Sequence, residues 1–306
     1  MSIPREARRR AAALLRAEGV TDAGFDAMLL LEKATGRSRT DLLLSGDELT
    51  PEEEARFDSL VGQRRRRIPL QHLLGETWFM GLRFAVRPGV LIPRQDTETL
   101  AETVLRELPE RGKGLRVLDL CTGSGCVGLT LARLGNWARV TLSDISDEAL
   151  DLAAENADAL GVAGKIFLAR GDLLQARRQD GRRLDRLRFD AVVCNPPYIP
   201  SGEIASLMPE VRDHDPRCAL DGGRDGLDFY RRLSHDAAGV LVPGGRLFLE
   251  IGSGQADAVR EILAARYDGI RVEQDLAGLD RVVWAVLPPA EEERSAPAAA
   301  EEEDHV

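Results

Sequence analysis

The tetrapeptide Asn195-Pro196-Pro197-Tyr198 has the residue types needed to hold a planar group that carries an NH2. It closes the apolar run Phe189–Cys194, which predicts a buried strand that stops abruptly. Each proline fixes its own φ and biases the residue before it toward an extended conformation. This strand end would present one side-chain amide, two backbone carbonyls and one aromatic ring. We expect it to grip an amide or an exocyclic amine, although a simple proline-rich turn after a core strand gives the same pattern.

A glycine-rich loop follows the predicted strand 117–120. Gly123, Gly125 and Gly128 satisfy the spacing G-x-G-x-x-G, and Asp144 ends the next predicted strand about 20 residues further on. Such glycines let a ligand approach the backbone at a helix N-terminus, and a carboxylate at Asp144 could accept both ribose hydroxyls. Two enzyme classes share this arrangement: a nicotinamide oxidoreductase and a methyltransferase that uses S-adenosylmethionine.

Further residues favour the methyltransferase. That class also uses a carboxylate before the loop, here Asp119 near the methionine end, and one after the third strand, here Asp172 near the adenine amino group. The sequence has no Tyr-x-x-x-Lys or Cys/His pair suited to hydride transfer. In a sheet of this type, the end of the fourth strand, where Asn195 stands, also borders the ligand crevice.

The elements that must position these residues fall into two regions. Residues 1 to about 68 read as helices, and one of them begins with Thr50 as a cap, Pro51 in the first turn and Glu53 at the capping-box position. The four arginines 64–67 end that helix, which favours a solvated helix terminus over a nucleic-acid contact. Residues 78–86 predict a β-hairpin. From Leu115 the pattern alternates between strands and helices, which predicts a mostly parallel, doubly wound sheet; its seven strands are expected at 117–120, 140–143, 166–169, 190–194, 245–250, near 272 and at 282–286.

Composition limits the remaining possibilities. The four cysteines and four histidines have no zinc or disulfide spacing, so we expect no metal site and no catalytic histidine. No apolar run is long enough to cross a membrane, and the first residues are not signal-like, which predicts a cytoplasmic protein with no membrane partner. Of the net charge of −10, residues 291–306 supply −6, and a mildly acidic remainder argues against direct nucleic-acid binding.

The glycine loop, Asp144 and Asn195-Pro196-Pro197-Tyr198 together resemble the class I methyltransferases that modify planar amino groups. Over residues 5–288 the chain is similar to the protein-(glutamine-N5) methyltransferases that act on peptide chain release factors, and the matching segments are 67–75, 90–98, 219–230 and 275–281. Segments 92–98 and 221–230 favour this branch over the similar enzymes that methylate a ribosomal protein. The resemblance implies a Rossmann-like methyltransferase fold, S-adenosylmethionine as methyl donor (S-adenosylhomocysteine as product), and the glutamine of a Gly-Gly-Gln loop as substrate.

The resemblance also implies site residues. The expected catalytic residues are Asn195, Pro196, Pro197 and Tyr198. The expected cofactor-binding residues are Cys121, Thr122, Gly123, Ser124, Gly125, Asp144, Asp172, Leu173 and Asn195. We expect the Asn195 side-chain oxygen and the Pro196 carbonyl to accept the two N–H hydrogens of the substrate amide, while Tyr198 stacks on the amide plane.

Three residues depart from the family pattern. Gln95 replaces a common proline. Cys121 stands where glycine is usual, and we expect it to fit if its φ is negative. Leu173 stands where an aromatic residue often covers the adenine. Residues 176–188, with six arginines, are expected to form a solvated loop.

The predicted organisation is an N-terminal helical substrate-recognition domain (1–70), a β-hairpin linker (71–93), a Rossmann-like methyltransferase domain (94–288) and a disordered acidic tail (289–306). Two other interpretations stay open. One is a DNA methyltransferase acting on adenine N6 or cytosine N4, which must extrude its base and needs a basic surface. The other is a non-catalytic binding module that has lost cofactor binding through Cys121.

Overall fold

The computed structural model of the chain describes residues 2–44, 46–108, 114–135 and 139–289. Its N-terminal part is helical, and apolar side chains from all five of its helices share one buried cluster. The helices are α1 (Pro4–Ala17), α2 (Ala23–Thr35), α3 (Arg39–Leu44), α4 (Pro51–Arg65) and α5 (Leu70–Leu74). This cluster is separate from those of the sheet, as expected for a unit with its own core.

The start of α4 confirms the predicted capping box. Thr50 Oγ1 accepts a hydrogen bond from Glu53 N at 3.2 Å, and Glu53 Oε2 accepts one from Thr50 N at 2.8 Å. The end of α4 differs from the expectation. Arg64 is buried instead of solvated, because its guanidinium bonds to Asp26 in α2 and to Glu210 far along the chain.

A two-stranded hairpin follows the helices. Strands β1 (Glu76–Phe79) and β2 (Leu82–Ala85) pair antiparallel around Met80 and Gly81, which both have positive φ, at 50° and 72°. Two successive residues with positive φ form the two-residue hairpin turn whose twist matches that of the flanking strands. The predicted hairpin is therefore confirmed, with its first strand two residues earlier.

Within the described residues, one mostly parallel sheet holds eight strands in the order β6-β5-β4-β3-β7-β8-β10-β9. The strands are β3 (Arg116–Leu120), β4 (Arg139–Asp144), β5 (Ile166–Arg170), β6 (Arg177–Arg178), β7 (Phe189–Cys194), β8 (Leu241–Glu250), β9 (Asp268–Gln274) and β10 (Asp280–Val286). In sheet order, the five neighbouring strands β5, β4, β3, β7 and β8 are parallel. Strands β6 and β10 pair antiparallel with their neighbours.

The eighth strand was not expected. It is β6, a two-residue edge strand inside the arginine-rich segment 176–188 that the sequence predicted to be a solvated loop. The segment is held to the protein because Leu184 is fully buried and Arg178 stacks on the Phe167 ring, with its guanidinium carbon 3.3 Å from the ring centroid. The prediction of seven strands is wrong by this one.

Helices cover both faces of the sheet. On one face lie α6 (Glu98–Glu107), α7 (Cys126–Leu134) and α8 (Asp147–Ala159). On the other lie α10 (Asp228–Asp236) and α11 (Ala256–Ala264), and the short α9 (Pro209–Arg212) lies in the loop after β7. The chain moves outward from β3 to β4 and β5 and then returns to β7 on the opposite side of β3, so the strand order reverses between β3 and β7. Ligand crevices of open α/β sheets form at the carboxyl ends of the strands at this reversal.

No helix of the described residues is long and apolar enough to cross a membrane. The predicted acidic tail lies outside the described residues, apart from Pro289.

Candidate functional site

A crevice opens at the carboxyl ends of β3, β4 and β7, where the strand order reverses. The lining of the crevice includes residues at or just after the carboxyl ends of strands β3, β4, β5 and β7. Of the residues expected to bind the cofactor, those that line the crevice are Cys121, Thr122, Gly123, Ser124, Asp144, Asp172, Leu173 and Asn195. The fold thus brings the sequence-predicted set together, except for Gly125, which lies beneath as the residue before α7.

Glycines shape the loop between β3 and α7. Gly123 and Gly125 have φ of 55° and 82°, a conformation that side chains other than glycine rarely adopt. Gly128 is required for space, because a Cβ there would lie 2.1 Å from Leu142 Cδ2 and 2.7 Å from Asp119 Oδ2. The loop and α7 can therefore approach β3 and β4 only with these glycines.

Asp119 holds this loop from below. Its Oδ2 accepts hydrogen bonds from Thr122 Oγ1 at 2.6 Å and Gly128 N at 2.9 Å. Burial raises the pKa of Asp119 to about 7, against the opposing effect of these two hydrogen bonds. The side chain is thus engaged with the protein backbone as well as bordering the crevice.

Cys121 contradicts one expectation. Its φ is 56°, in the left-handed region, and not negative as its fit to the loop was expected to require. An L-residue pays steric strain in this conformation, because its Cβ approaches the following carbonyl oxygen. The backbone at Cys121 therefore has a left-handed conformation that would suit the glycine usual at this position in the family. Cys121 adopts this conformation with local strain.

Asp144 ends β4 and faces the glycine loop. Its Oδ2 accepts a hydrogen bond from Gly123 N at 2.9 Å, and its Oδ1 accepts one from Ser146 N at 3.0 Å. Burial raises the pKa of Asp144, while these backbone N–H groups oppose the rise. Each carboxylate oxygen retains a second lone pair, so the group can still accept from a ligand hydroxyl.

The side of the crevice near β5 carries Asp172 and three apolar residues. Asp172 Oδ2 accepts a hydrogen bond from Arg232 of α10 at 2.7 Å. Leu173 is buried with φ of 47°, and Ile145, beside Asp144, is exposed into the crevice. Phe229 of α10 also lines the crevice. An aromatic wall is therefore present, although Phe229 supplies it from a distant part of the sequence instead of position 173.

Asn195 follows β7 on the opposite side of the crevice. Its Nδ2 donates a hydrogen bond to Thr97 Oγ1 at 3.3 Å. Asn195 and Pro197 line the crevice, whereas Pro196 is buried and Tyr198 is half-buried. The two proline rings restrict the turn after β7, and Gln255 Nε2 holds it further by donating a hydrogen bond to the Tyr198 carbonyl oxygen at 2.9 Å.

A buried carboxylate lies behind this motif. Glu250 ends β8, its side chain neighbours Thr97, and the Tyr198 hydroxyl lies 3.5 Å from its Oε1. Burial raises the pKa of Glu250 to about 7, and the Thr97 hydroxyl and the charge of Arg281 only partly oppose the rise. The sequence analysis singled out neither Thr97 nor Glu250 for a role, because the two residues meet only when the chain after the hairpin crosses β8.

The loop after β7 connects the crevice to the helical region. Glu210 accepts hydrogen bonds from Arg67 at 2.7 and 2.6 Å and from Arg64 at 2.8 Å, and Arg64 also donates to Asp26 at 2.7 Å. Burial by itself raises the pKa of Glu210, but the hydrogen bonds from the two arginines outweigh it and lower the pKa to about 2. A second ion pair joins Arg94, at the crevice, to buried Asp215 in the same loop.

Comparison with known proteins agrees with this architecture. A family model described as the PrmC N-terminal domain matches residues 6–75, and one described as the methyltransferase small domain matches residues 82–209. In structure, the chain is similar to a methyltransferase from Pyrococcus furiosus, with 17% identity and a TM-score of 0.51, over 75% of this chain and 99% of that one. At 17% identity, this similarity is evidence for a shared fold only.

Sequence relatives are closer. A release factor glutamine methyltransferase from Moorella thermoacetica is 44% identical over 92% of this chain and 97% of its own length. The protein of the same name from Geobacter sulfurreducens is 42% identical over 88% of this chain and 91% of its own length. With this identity over nearly the whole length of both proteins, the chain belongs to the release factor glutamine methyltransferase family.

Proposed function

We propose that this protein transfers the methyl group of S-adenosylmethionine to the side-chain amide nitrogen of the glutamine in the Gly-Gly-Gln loop of peptide chain release factors. The observation that carries the proposal is the placement of Asn195. It lies at the strand-order reversal, across one crevice from Asp144 and the glycine loop, with its Nδ2 already bonded to Thr97. Its Oδ1 is thereby left to accept a hydrogen bond from a substrate NH2.

The crevice has the chemistry to hold the methyl donor. Asp144 retains lone pairs for ribose hydroxyls, and Asp172 can accept from an adenine amino group. The apolar surfaces of Ile145, Leu173 and Phe229 suit a purine ring. Asp119, beneath the loop at Cys121–Gly125, is the carboxylate for the methionine end. The donor would supply an electrophilic methyl group on a sulfonium, and the protein would supply binding and alignment.

The catalytic task of the protein is positioning. A carboxamide nitrogen is a poor nucleophile, because its lone pair is delocalised into the carbonyl. Asn195 Oδ1 and the Pro196 carbonyl would each accept one N–H hydrogen, which aims the nitrogen and stabilises the positive charge that develops on it. The half-buried ring of Tyr198 is the surface on which the amide plane would stack. The proton can leave the product nitrogen after transfer, so no strong general base is required.

The helical region 1–70 is proposed as the substrate-recognition domain, with residues 71–93 as the linker and 94–288 as the catalytic domain. Its separate core and its ion pairs to Glu210, in the loop that follows the motif, support this division. A domain held in this way can bind the protein substrate beside the crevice.

The test is a methylation assay with labelled S-adenosylmethionine. The substrates are a release factor, its variant with alanine at the loop glutamine, and duplex DNA, each with wild type and with Asn195→Ala. We expect label on the release factor alone, and a loss of at least about 100-fold with Asn195→Ala, while calorimetry shows that this variant still binds S-adenosylmethionine. Label on DNA, or equal label on the alanine variant of the substrate, would refute the proposal, and absence of cofactor binding would favour a non-catalytic module.

A further inference from the structure

We infer that Thr97 and Glu250 are positioning residues that fix the orientation of the Asn195 amide, so that its oxygen and not its NH2 faces the substrate. This inference deepens the proposed function and rests on it. It concerns two buried residues outside the Asn-Pro-Pro-Tyr motif, one from the segment before α6 and one from the end of β8.

The inferred order is a directed chain of hydrogen bonds. Asn195 Nδ2 donates to Thr97 Oγ1 at 3.3 Å, and we assign the hydrogen of the Thr97 hydroxyl to the neighbouring Glu250 carboxylate, an interaction that opposes the rise of the Glu250 pKa. Thr97 and Glu250 are each only 2% exposed, so water does not replace either partner. A hydroxyl has a single hydrogen. Once Thr97 gives that hydrogen to Glu250, it offers only a lone pair to Asn195, which must then present its NH2.

The orientation decides whether the crevice accepts its substrate. The oxygen and the NH2 of an asparagine side chain are nearly the same size, so packing does not distinguish the two rotamers of the amide. With Oδ1 in the crevice, Asn195 accepts from the substrate NH2. With the amide turned over, two NH2 groups would face each other and neither would find an acceptor. The hydrogen-bond chain therefore selects the productive rotamer.

The surroundings of Glu250 keep its side chain available for this role. The groups that face it are Thr97 from the segment before α6, the Tyr198 hydroxyl after β7, Arg281 of β10, and Asp96, which pairs with Arg281 at 3.4 Å. Below β8, the Tyr230 hydroxyl of α10 donates to the Glu250 backbone carbonyl at 3.0 Å instead of to the carboxylate. Among the described residues, Glu250 Oε2 has no hydrogen-bond partner. This buried oxygen has no competing donor and can accept the hydrogen of the Thr97 hydroxyl.

Protonation of Glu250 would undo the selection. A neutral carboxyl carries a hydrogen of its own and can donate to Thr97, which can then donate to the Asn195 oxygen and reverse the chain. Because burial raises the pKa of Glu250 to about 7, this reversal falls within the accessible pH range. Methyl transfer by the wild type should therefore decline as the pH falls through about 7. Asp119 titrates in the same range, so a variant is needed to separate the two carboxyls.

The experiment compares Thr97→Val, which is nearly isosteric but cannot hydrogen-bond, with Thr97→Ser, which keeps the hydroxyl. We expect Thr97→Val to lower kcat for the release factor by about 10- to 100-fold with unchanged cofactor affinity and a lower melting temperature, because it leaves buried polar groups unpaired. Thr97→Ser should retain at least about half of the wild-type kcat. In Glu250→Gln, kcat should fall and the part of the pH profile due to Glu250 should disappear. Equal losses in the two Thr97 variants, or full activity of Thr97→Val, would overturn the inference.

A readout independent of activity separates this inference from the proposed function. The side-chain NH2 signals of Asn195 in a nitrogen–proton correlation spectrum are identified by their loss in Asn195→Ala. They should shift in Thr97→Val and stay in place in Thr97→Ser. Unchanged signals in both variants would refute the hydrogen-bond chain. If the signals shift in Thr97→Val as expected but the wild type transfers no methyl group to the release factor, the proposed function alone is refuted.

Discussion

The ion-pair cluster between the helical region and the loop after β7 yields a quantitative prediction for Glu210→Gln. The glutamine keeps the size of the side chain and removes the charge that Arg64 and Arg67 share. Arg64 is nearly enclosed, with 8% of its side chain exposed, and it would retain only Asp26 as an anionic partner. Loss of one partner from a buried charged cluster is strongly destabilising.

The magnitude follows from the ionisation of Glu210. Its pKa is about 2 in the folded protein against an ordinary value of 4.5, and each tenfold change in an ionisation constant is worth about 1.4 kcal/mol. The full difference is about 3 kcal/mol, and partial screening by solvent at this junction reduces the expected loss to about 2 kcal/mol. Because the folded pKa is the lower one, this stability is fully present above pH 4.5 and is lost as the pH falls through about 2.

The assay is urea unfolding of wild type and variant at about pH 7 and about pH 3. The stability difference should fall to less than half at the lower pH. Asp213→Asn is the matched control, because Asp213 forms an exposed pair with Arg212 at 2.8 Å only three residues away and its loss should change little. In methylation assays, Glu210→Gln should raise KM for the release factor more than it lowers kcat. A loss no greater than that of Asp213→Asn, or one that grows on acidification, would refute the reasoning.

Three further variants test the crevice. Cys121→Gly should stabilise the protein by about 0.5–1 kcal/mol in thermal unfolding, because it removes the strain of φ at 56° but adds entropy to the unfolded chain; a lower melting temperature would contradict this. Gly128→Ala should destabilise by about 1–3 kcal/mol, since the new Cβ would lie 2.1 Å from Leu142 Cδ2, and an unchanged denaturation midpoint would show that the packing at this point adapts. Phe229→Ala should weaken S-adenosylmethionine binding about 10-fold in calorimetry by removing an apolar wall, and unaltered affinity would place the purine elsewhere.

The sequence by itself determined the sheet, the loop and the motif, because each depends on residues that are close in the chain. The alternation of apolar runs with helical segments is a local pattern, and it predicted the parallel strands that the structure contains. The glycine spacing after β3 and the proline pair after β7 restrict the backbone of their own residues, so their placement at strand ends could be inferred directly. The capping box at Thr50 has the same origin.

The tertiary structure alone decided the features that join distant residues. Thr97 meets Asn195 and Glu250 across 98 and more residues of chain, and no local pattern marks a threonine for that contact. Arg64 has the same sequence context as a solvated helix end, yet Glu210 arrives from 146 residues away and buries it. Phe229 likewise reaches the crevice beside Leu173 from a distant part of the chain.

The motif Asn195-Pro196-Pro197-Tyr198 illustrates which properties of the site follow from the sequence and which follow from the tertiary structure. Its residue types specify the hydrogen-bonding groups of the site, since amide and carbonyl oxygens are properties of the residues themselves. Which end of the Asn195 amide faces the substrate is not such a property, because the two ends differ only in their hydrogen bonds. That choice belongs to partners on other elements, which folding alone brings within reach.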